Sequence, residues 1–358
     1  MKKSIFLGLF GLIIIGVLAF FIWPEDAHEY YEVDAAYQAQ VDAYYIPPMP
    51  VDWRWKRFDA KDGTKLRWGE TGNRSAAKAT IIIVPGYTAT LSMYGEHVDY
   101  LAEQGYHVMG LDLRGQGGSQ RYRASQPEKL WVDEFSTYSD DFADFVAVQN
   151  LPEDRVVVPV AMSFGGHVAT RMAVDHAGLI DGLFLLAPAF VPKAGDIEFD
   201  KALSLMKLSR KLGKAKHYVL GGGGHWKPVG EDFTQANISM CSSEPKRLYL
   251  RDVIFTREQH QRVGAVTNQW GAEFFESSQL MMADGYLSKL KIPVSIISAE
   301  QDNFVDTEAN QQACSEDIPD CKDTQIEGAG HCLMQEHDED LAIIFRELDL
   351  LVAKITDG

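Results

Sequence analysis

The sequence predicts an α/β fold, with a mostly parallel, doubly wound sheet, an inserted helical region and an apolar N-terminal segment. Short apolar runs such as Thr80–Val84 and Val156–Val160 are typical of buried parallel strands, and they alternate with helical patterns along most of the chain. This alternation stops at about residue 191 and resumes at about residue 284. Residues 4–23 carry no charge.

Composition restricts the classes of function. The chain has 358 residues, and hydrophobic residues make up 46% of them, enough for a substantial core. The formal net charge of −17 argues against a nucleic-acid partner, because phosphate backbones are bound by basic surfaces. It also argues against purely electrostatic docking on anionic lipid.

The N-terminal segment predicts a membrane anchor at residues 1–24. Ser4–Trp23 is uncharged and long enough to span a bilayer, which takes about 20 residues. Lys2 and Lys3 precede the span and acidic residues follow it, so the positive-inside rule places the N-terminus in the cytoplasm. The rest of the chain then lies on the outer side, periplasmic or extracellular. A cleaved signal peptide is the alternative interpretation.

Four further regions follow this segment. Residues 25–50 are aromatic, acidic and contain prolines, and we interpret them as a linker. Residues 51–190 and 284–358 form the predicted α/β core. Residues 191–283 form a predicted cap, because their helical patterns are not interleaved with apolar strands.

The elements of the core can be taken in order. Trp53–Phe58 and Lys65–Trp68 alternate like two antiparallel strands joined at Lys61–Gly63. The remaining predicted strands are Thr80–Val84, His107–Leu113, Val156–Val160, Gly182–Leu186, Val294–Glu300 and Thr324–Ile326. The predicted core helices are Leu91–Gln104, one containing Phe142–Val148, one following Ser163, and Asp340–Ala353.

The stretch Arg155–His167 carries the strongest chemical signal. An apolar strand ends in a sharp turn with Ser163 at its centre, and a helix follows, which is the context of a nucleophile elbow. Residues two before and two after the serine must be small, since strand and helix nearly touch there. Ala161 and Gly165 meet this need, although glycine is usual at the first position. An ordinary strand-to-helix loop is the alternative.

A serine nucleophile needs a base and an orienting acid. Asp302 follows the strand that ends at Glu300, and His331 follows the strand at Thr324–Ile326. Both sit at carboxyl ends of strands, where open α/β sheets bind ligands. Glu300 and Asp306 remain alternatives to Asp302 as the acid. His167 is one helical turn beyond Ser163 and is predicted to point away from its hydroxyl.

Several motifs resemble those of one known family. Asp112–Ser119 is similar to a D-x-R-G-x-G-x-S loop, and Val84–Gly86 with Tyr94 is similar to an H-G…Y segment, with proline replacing the histidine. In the cap, Arg262–Thr267 followed by Trp270 resembles a segment of bacterial lysophospholipases. Over about residues 53–353 the chain therefore resembles the lysophospholipase and monoacylglycerol lipase-like serine hydrolases of the α/β-hydrolase superfamily.

This resemblance implies a role for each candidate residue. Ser163 would be the nucleophile, Asp302 the acid and His331 the base. The backbone N–H groups of Tyr87 and Phe164 would form the oxyanion hole, with Trp270 either a substrate wall or part of the cap core.

The implied activity is that of a carboxylic ester hydrolase acting on a lipid-like ester, a lysophospholipid or monoacylglycerol. No metal and no organic cofactor are expected. Acyl transfer, hydrolysis of non-lipid esters and a non-catalytic binding module are the alternatives.

The chain contains four cysteines, Cys241, Cys314, Cys321 and Cys332. An exported chain permits disulfides. Cys314 and Cys321 are near enough in sequence to close a small loop, and free thiols remain the alternative. No Cys/His spacing is typical of a zinc site.

Overall fold

The structure, a computed structural model, describes residues 28–152, 154–230, 232–235 and 241–357. The predicted membrane anchor at residues 1–24 lies outside these ranges. Within them, no helix combines the length and the apolar character needed to cross a membrane.

A single sheet of eight strands organises the described chain, in the order β1-β2-β4-β3-β5-β6-β7-β8. The first two neighbouring pairs in this order are antiparallel, and the other five pairs are parallel. The strands are β1 (Arg54–Asp59), β2 (Lys65–Thr71), β3 (Thr80–Val84), β4 (His107–Leu111), β5 (Val157–Met162), β6 (Leu183–Leu186), β7 (Val294–Ala299) and β8 (Cys321–Ile326). The predicted α/β-hydrolase fold with a mostly parallel sheet is confirmed.

The direction of the chain across the sheet reverses between β3 and β5. These strands are neighbours, but β4 lies on one side of β3 and β5 on the other. Every residue of both strands is buried, which is why they appear in the sequence as unbroken apolar runs. In open α/β sheets such a reversal opens a crevice at the carboxyl ends of the strands.

Ten α-helices accompany the sheet in the described ranges. They are α1 (Ala35–Ala43), α2 (Gly95–Glu103), α3 (Ser136–Ala147), α4 (Phe164–Asp175), α5 (Phe199–Lys211), α6 (Pro245–Leu248), α7 (Leu250–Arg257), α8 (Asn268–Met281), α9 (Thr307–Gln312) and α10 (Asp338–Asp357). Helices α5 to α8 lie between β6 and β7 in sequence, so the inserted region is mainly helical.

Two elements depart from their predicted bounds. The predicted helix Leu91–Gln104 is divided into a 3₁₀ turn, Leu91–Met93, and α2. Gly95 starts α2 where an added Cβ would lie 2.5 Å from the carbonyl oxygens of Pro47 and Pro48, so the chain approaches closely there. Strand β8 is longer than predicted because its exposed polar positions hide it from a search for apolar runs.

The predicted linker, residues 25–50, contains a packed helix. Tyr37 and Val41 of α1 are buried in a cluster with Phe233, Tyr249 and other cap residues. The Phe233 and Tyr249 rings stack with centroids 4.4 Å apart. Asp34 caps the helix by accepting a hydrogen bond from the Tyr37 N–H. This part of the segment is therefore attached to the cap.

All four cysteines form disulfides. Cys314 is bonded to Cys321, as the small-loop interpretation allowed. Cys241 is bonded to Cys332, which joins the cap to the loop after β8 across 91 positions of sequence. The free-thiol alternative does not describe this structure.

Candidate active site

Ser163 occupies a strained turn between β5 and α4. Its φ of 51° is in a region that L-residues other than glycine rarely adopt. A Cβ added at Gly165 would lie 2.4 Å from the Val84 carbonyl oxygen, and one at Gly86 would lie 3.2 Å from the Ser163 Cβ. The small residues therefore permit the close approach of α4, β3 and the turn. As a result, the serine hydroxyl is exposed to the crevice at the carboxyl ends of the strands.

His331 and Asp302 complete a hydrogen-bonded row with Ser163. The His331 Nε2 lies 2.8 Å from the Ser163 Oγ, and its Nδ1 lies 2.7 Å from the Asp302 Oδ2. An ionised carboxylate can only accept, so Nδ1 carries the proton and Nε2 is left to accept from the serine hydroxyl. The structure brings together the three side chains predicted as nucleophile, base and acid.

Asp302 is held as an anion. Burial acts to raise its pKa, but the hydrogen bond and charge of His331 and the backbone N–H groups of Val305 and Phe304 outweigh burial and hold the pKa below its ordinary value. The two N–H groups donate to Oδ1 over 3.0 and 2.8 Å. Oδ2 thus remains directed at the imidazole.

The alternative acids lie elsewhere. The Glu300 carboxylate accepts from the N–H of Gly328, and Asp306 caps α9 by accepting from the N–H of Ala309. His167 is fully buried and bonded to the Ala189 carbonyl and the Ser277 hydroxyl, and burial lowers its pKa to about 3. None of these side chains is hydrogen bonded to Ser163 or His331.

The cap holds the loop that carries His331. Cys332 is bonded to Cys241, and its N–H donates to the Cys241 carbonyl over 2.8 Å. The carboxylate of Glu336, fully buried, accepts from the N–H of Gly330 over 2.7 Å and from the N–H of Ser243 over 3.0 Å. The histidine is therefore positioned from both sides by residues of the cap and of its own loop.

The predicted oxyanion-hole residues flank the serine. Phe164 opens α4, and Tyr87 follows β3 and lines the same cavity as Ser163. Among the described residues, neither backbone N–H has a hydrogen-bond acceptor. Gln116 steadies the Tyr87 loop, because its side-chain oxygen accepts from the Thr88 N–H over 2.7 Å.

The serine and histidine open into a cavity of about 90 Å³. Its apolar wall includes Met93, Tyr94, Met162, Leu248, Leu333 and Met334. Arg251 and Asp252 of α7 are polar residues on its cap side. The volume is well below the roughly 300–1,000 Å³ of sites that enclose a whole ligand, so a long substrate must extend beyond it.

Trp270 does not line this cavity, so its prediction as a substrate-binding residue is corrected. It is 2% exposed and stacks on Tyr87 with ring centroids 5.0 Å apart. Its indole N–H donates to the Tyr138 hydroxyl over 2.8 Å, and Phe164 packs against its ring. An indole with a satisfied N–H is a core residue, and this one supports the oxyanion loop from behind.

The chain is similar to known proteins over most of its length. Residues 75–338 match the family model described as serine aminopeptidase, S33. The chain belongs to this family. The predicted resemblance to α/β-hydrolases of the lysophospholipase and monoacylglycerol lipase kind is confirmed.

Two relatives and a solved structure illustrate the similarity. Lysophospholipase L2 of Escherichia coli strain K12 is 25% identical over 306 residues, covering 83% of this chain and 87% of the relative. A probable 1-acylglycerol-3-phosphate O-acyltransferase of Oryza sativa is 23% identical over 302 residues, covering 75% and 69%. The structure of a soluble variant of Saccharomyces cerevisiae monoglyceride lipase matches with a TM-score of 0.63 at 15% identity, covering 87% and 99%.

Together these findings identify the enzyme class. The chain is a carboxylic ester hydrolase, as the sequence predicts. The identity to the yeast structure is low enough that this match is informative about the fold alone.

Sequence reasoning missed the residues that position His331. Glu336 was available as an acidic residue five positions after the histidine, but nothing in a single sequence marks it as buried. Arg247 was missed for the same reason, although it is 2% exposed and donates to the Glu336 carbonyl over 2.7 Å. A buried charge of this kind becomes apparent only when distant segments meet.

Proposed function

We propose that this enzyme hydrolyses the carboxylic ester of single-chain lipids through an acyl-enzyme on Ser163, and that it prefers lysophospholipids to monoacylglycerols. The observation that supports the chemistry is the hydrogen-bonded row of Ser163, His331 and Asp302 at the mouth of a mainly apolar cavity. The observation that supports the preference is the presence of Arg251 in the wall of that cavity.

Each residue of the row has a defined step. Ser163 Oγ attacks the ester carbonyl while His331 Nε2 takes its proton, and the tetrahedral oxyanion is stabilised by the N–H groups of Tyr87 and Phe164. The C–O bond to the alcohol then breaks, and His331 returns the proton to that leaving group. Water attacks the acyl-serine by the same route, releasing a fatty acid. Asp302 keeps the imidazole in the required tautomer throughout.

Arg251 suits an anionic headgroup. Its guanidinium is 3.0 Å from Asp252, and its Nη1 is 3.5 Å from the hydroxyl of Thr88 beside the oxyanion loop. The side chain retains 30% exposure, and a guanidinium has five N–H donors in a planar fork. A phosphate can use the donors that face the cavity, whereas the glycerol of a monoacylglycerol offers no anion.

Matched substrates test both parts of this proposal. We expect a higher kcat/KM for lysophosphatidylcholine than for a monoacylglycerol with the same acyl chain. Because the family description is serine aminopeptidase, an aminoacyl anilide is the third substrate, and it should be a poor one. The substitution Arg251→Gln should reduce this preference by about tenfold, the usual order for a charge-assisted contact. Arg346→Gln, at an exposed position outside the cavity, is the control.

The ester chemistry and the headgroup assignment are contradicted by different results. Faster cleavage of the aminoacyl anilide than of any ester would contradict the lipid-ester proposal. An equal loss on both lipids in Arg251→Gln would contradict the headgroup assignment and leave the ester chemistry intact.

A second candidate is acyl transfer to an acceptor alcohol other than water, and the similarity to the rice acyltransferase favours it. The acyl-enzyme would form identically, and the acceptor would replace water in the second step. Product analysis decides between them when a labelled lysophospholipid is supplied with a second lysolipid. A labelled diacyl product in place of free fatty acid would identify a transferase.

We also propose that residues 1–24 anchor the enzyme in a membrane, with the catalytic region on the outer side. The uncharged stretch at residues 4–23 and the two disulfides support this, because disulfides persist in oxidising compartments. The protein should remain with membranes in high salt and be released by detergent. A soluble mature protein that begins after residue 23 would contradict the anchor.

A further inference from the structure

A second cluster of chemically active side chains lies outside the active site. His28 from the N-terminal segment, Glu128 from the core and His225 from the cap meet there, and their ligand atoms all lie within 4.8 Å of one another. The His225 Nδ1 is 3.3 Å from the His28 Nδ1 and 3.2 Å from the Glu128 Oε2. None of the three residues lines the cavity that contains Ser163.

Two of the three separations between these atoms match the ligand spacing of a tetrahedral zinc ion. Zinc binds imidazole nitrogen and carboxylate oxygen at about 2.0–2.2 Å, which places neighbouring tetrahedral ligands roughly 3.3 Å apart. The two distances measured from the His225 Nδ1 equal this edge length within a tenth of an ångström. Two histidines and a glutamate also form one of the common three-residue ligand sets for zinc.

The burial of the Glu128 carboxylate is a second observation that favours a cation ligand. Glu128 is 1% exposed, and its Oε2 accepts from the Trp226 N–H over 2.7 Å. Its Oε1 is buried and has no hydrogen-bond partner in the described part of the chain. A buried carboxylate with an unsatisfied oxygen is costly, and a bound metal ion would remove that cost.

We propose that His28, Glu128 and His225 form a zinc site that fastens the N-terminal segment to the core and the cap. The fourth position is open to a water molecule, as in other three-ligand sites. The sequence predicts no metal because the three ligands are far apart along the chain and no short spacing unites them.

The site is structurally connected to the oxyanion loop. The Glu128 carbonyl accepts from the Gly264 N–H over 2.8 Å, and the Gly264 carbonyl accepts from the Tyr87 hydroxyl over 2.6 Å. A metal at Glu128 would stabilise the segment against which Tyr87 is held. The ion would lie outside the cavity that contains Ser163, and hydrolysis itself proceeds through the Ser163 row.

Positive charge nearby restricts which metal fits. Arg262 and Lys129 lie close enough to His28 to act on it electrostatically. They oppose binding of any cation, so an ion that binds weakly to nitrogen, such as Mg²⁺ or Ca²⁺, would not be retained. Zinc meets the requirement because it binds imidazole strongly.

The test uses the full-length protein, purified without a histidine tag and treated with a chelator. Zinc titration with metal analysis should give about one bound ion per chain, and zinc should raise the melting temperature while magnesium should not. His28→Gln and Glu128→Gln should each weaken zinc binding by tenfold or more, since even outer-shell changes cost 10- to 100-fold. His260→Gln, at a 69% exposed side chain, should bind zinc like the wild type.

Two results would overturn the zinc site. One is the absence of a zinc-induced rise in melting temperature in the wild type, which would leave a hydrogen-bonded cluster. The other is equal zinc binding by the wild type and His28→Gln, which would show adventitious binding elsewhere. If Glu128→Gln fails to fold, His28→Gln and His225→Gln decide the question, because both replace partly exposed side chains.

Discussion

Ser163 and His331 are held in place by different parts of the molecule. The serine is positioned by its own strand, turn and helix, with Gly165 and Gly86 allowing the close approach. The histidine lies in a loop that a disulfide joins to the cap, and the Gly330 N–H of this loop donates to the Glu336 carboxylate. The nucleophile is thus placed by local backbone sterics, and the base by long-range contacts.

This difference predicts that substitutions around Ser163 and around the His331 loop have different effects. A side chain added at Gly165 would collide with the Val84 and Pro85 carbonyl oxygens. A substitution there should therefore prevent folding. Removing the cap contacts of the His331 loop leaves the sheet intact. Such a variant should therefore fold but have a lower turnover, because His331 is no longer held in position.

Ser163→Ala should lower kcat on the order of 10⁶-fold without unfolding the protein, since the three residues of the hydrogen-bonded row act as a unit. The melting temperature should remain close to that of the wild type, because alanine removes a hydroxyl and leaves the backbone unchanged. Turnover and labelling by a fluorophosphonate probe measure the effect. Ser288→Ala, at an exposed serine, is the control. Retained labelling would show that another residue is the nucleophile.

Asp302→Asn should lower kcat on the order of 10⁴-fold, because an amide favours the wrong imidazole tautomer. Asp306→Asn is the matched control, and it should cost at most about 1 kcal/mol of helix-capping stability with little change in turnover. A severe loss of turnover in the control alone would transfer the role of acid to Asp306.

The stability difference between the wild type and Asp302→Asn should depend on pH. The pKa of Asp302 is depressed below 3.8, so the stabilisation from its ionised form is present above that value. It is lost as the pH falls further, through the pKa of the folded state. The stability gap between the wild type and Asp302→Asn should therefore shrink below about pH 3.8, as chemical denaturation would show. A gap that is constant with pH would contradict this assignment.

The disulfide between Cys241 and Cys332 tests the long-range half of the contrast. Replacing both by serine should lower kcat by about tenfold or more in a folded protein, since the histidine loop loses its link to the cap. In the chain-entropy model the loss of stability is roughly 4–5 kcal/mol for a loop of this length. Kinetics and denaturant melts measure the two effects.

The second disulfide is the natural control. Cys314 and Cys321 are separated by 7 positions and do not line the cavity. Their replacement by serine should cost roughly 2–3 kcal/mol of stability and leave kcat close to the wild-type value. Equal kinetic losses for the two double variants would show that general destabilisation, and not the position of His331, controls turnover.

The contrast also explains which features could be predicted from the sequence. The elbow at Ser163 and the buried strands β3 and β5 depend on neighbouring residues, so local patterns reveal them. The pairing of Cys241 with Cys332, the burial of Glu336 and the place of Trp270 behind Tyr87 depend on segments that meet only after folding. Short-range patterns carry no information on such contacts.

Leu248 now replaces Trp270 as the cap residue expected to sense the acyl chain. It lines the cavity from α6, and the cavity of about 90 Å³ requires a long tail to pass along such a wall. Leu248→Ala removes apolar contact worth roughly 1–2 kcal/mol, so kcat/KM for long-chain esters should fall by about tenfold. Acetate esters, whose acyl group offers little apolar area to this wall, should be hydrolysed nearly as before.

Trp270→Ala is the informative contrast to that variant. Its ring is enclosed by Tyr87, Phe164 and Phe274, so truncation should cost roughly 3–5 kcal/mol of stability. It should also lower turnover of short and long esters alike, because the oxyanion loop loses its support. Both variants are compared on acetate and long-chain esters at a temperature where each is folded. The opposite result would be a loss of kcat/KM for long-chain esters alone in Trp270→Ala, with no loss in Leu248→Ala. It would show that Trp270 contacts the acyl chain and that the cap must open for the substrate to bind.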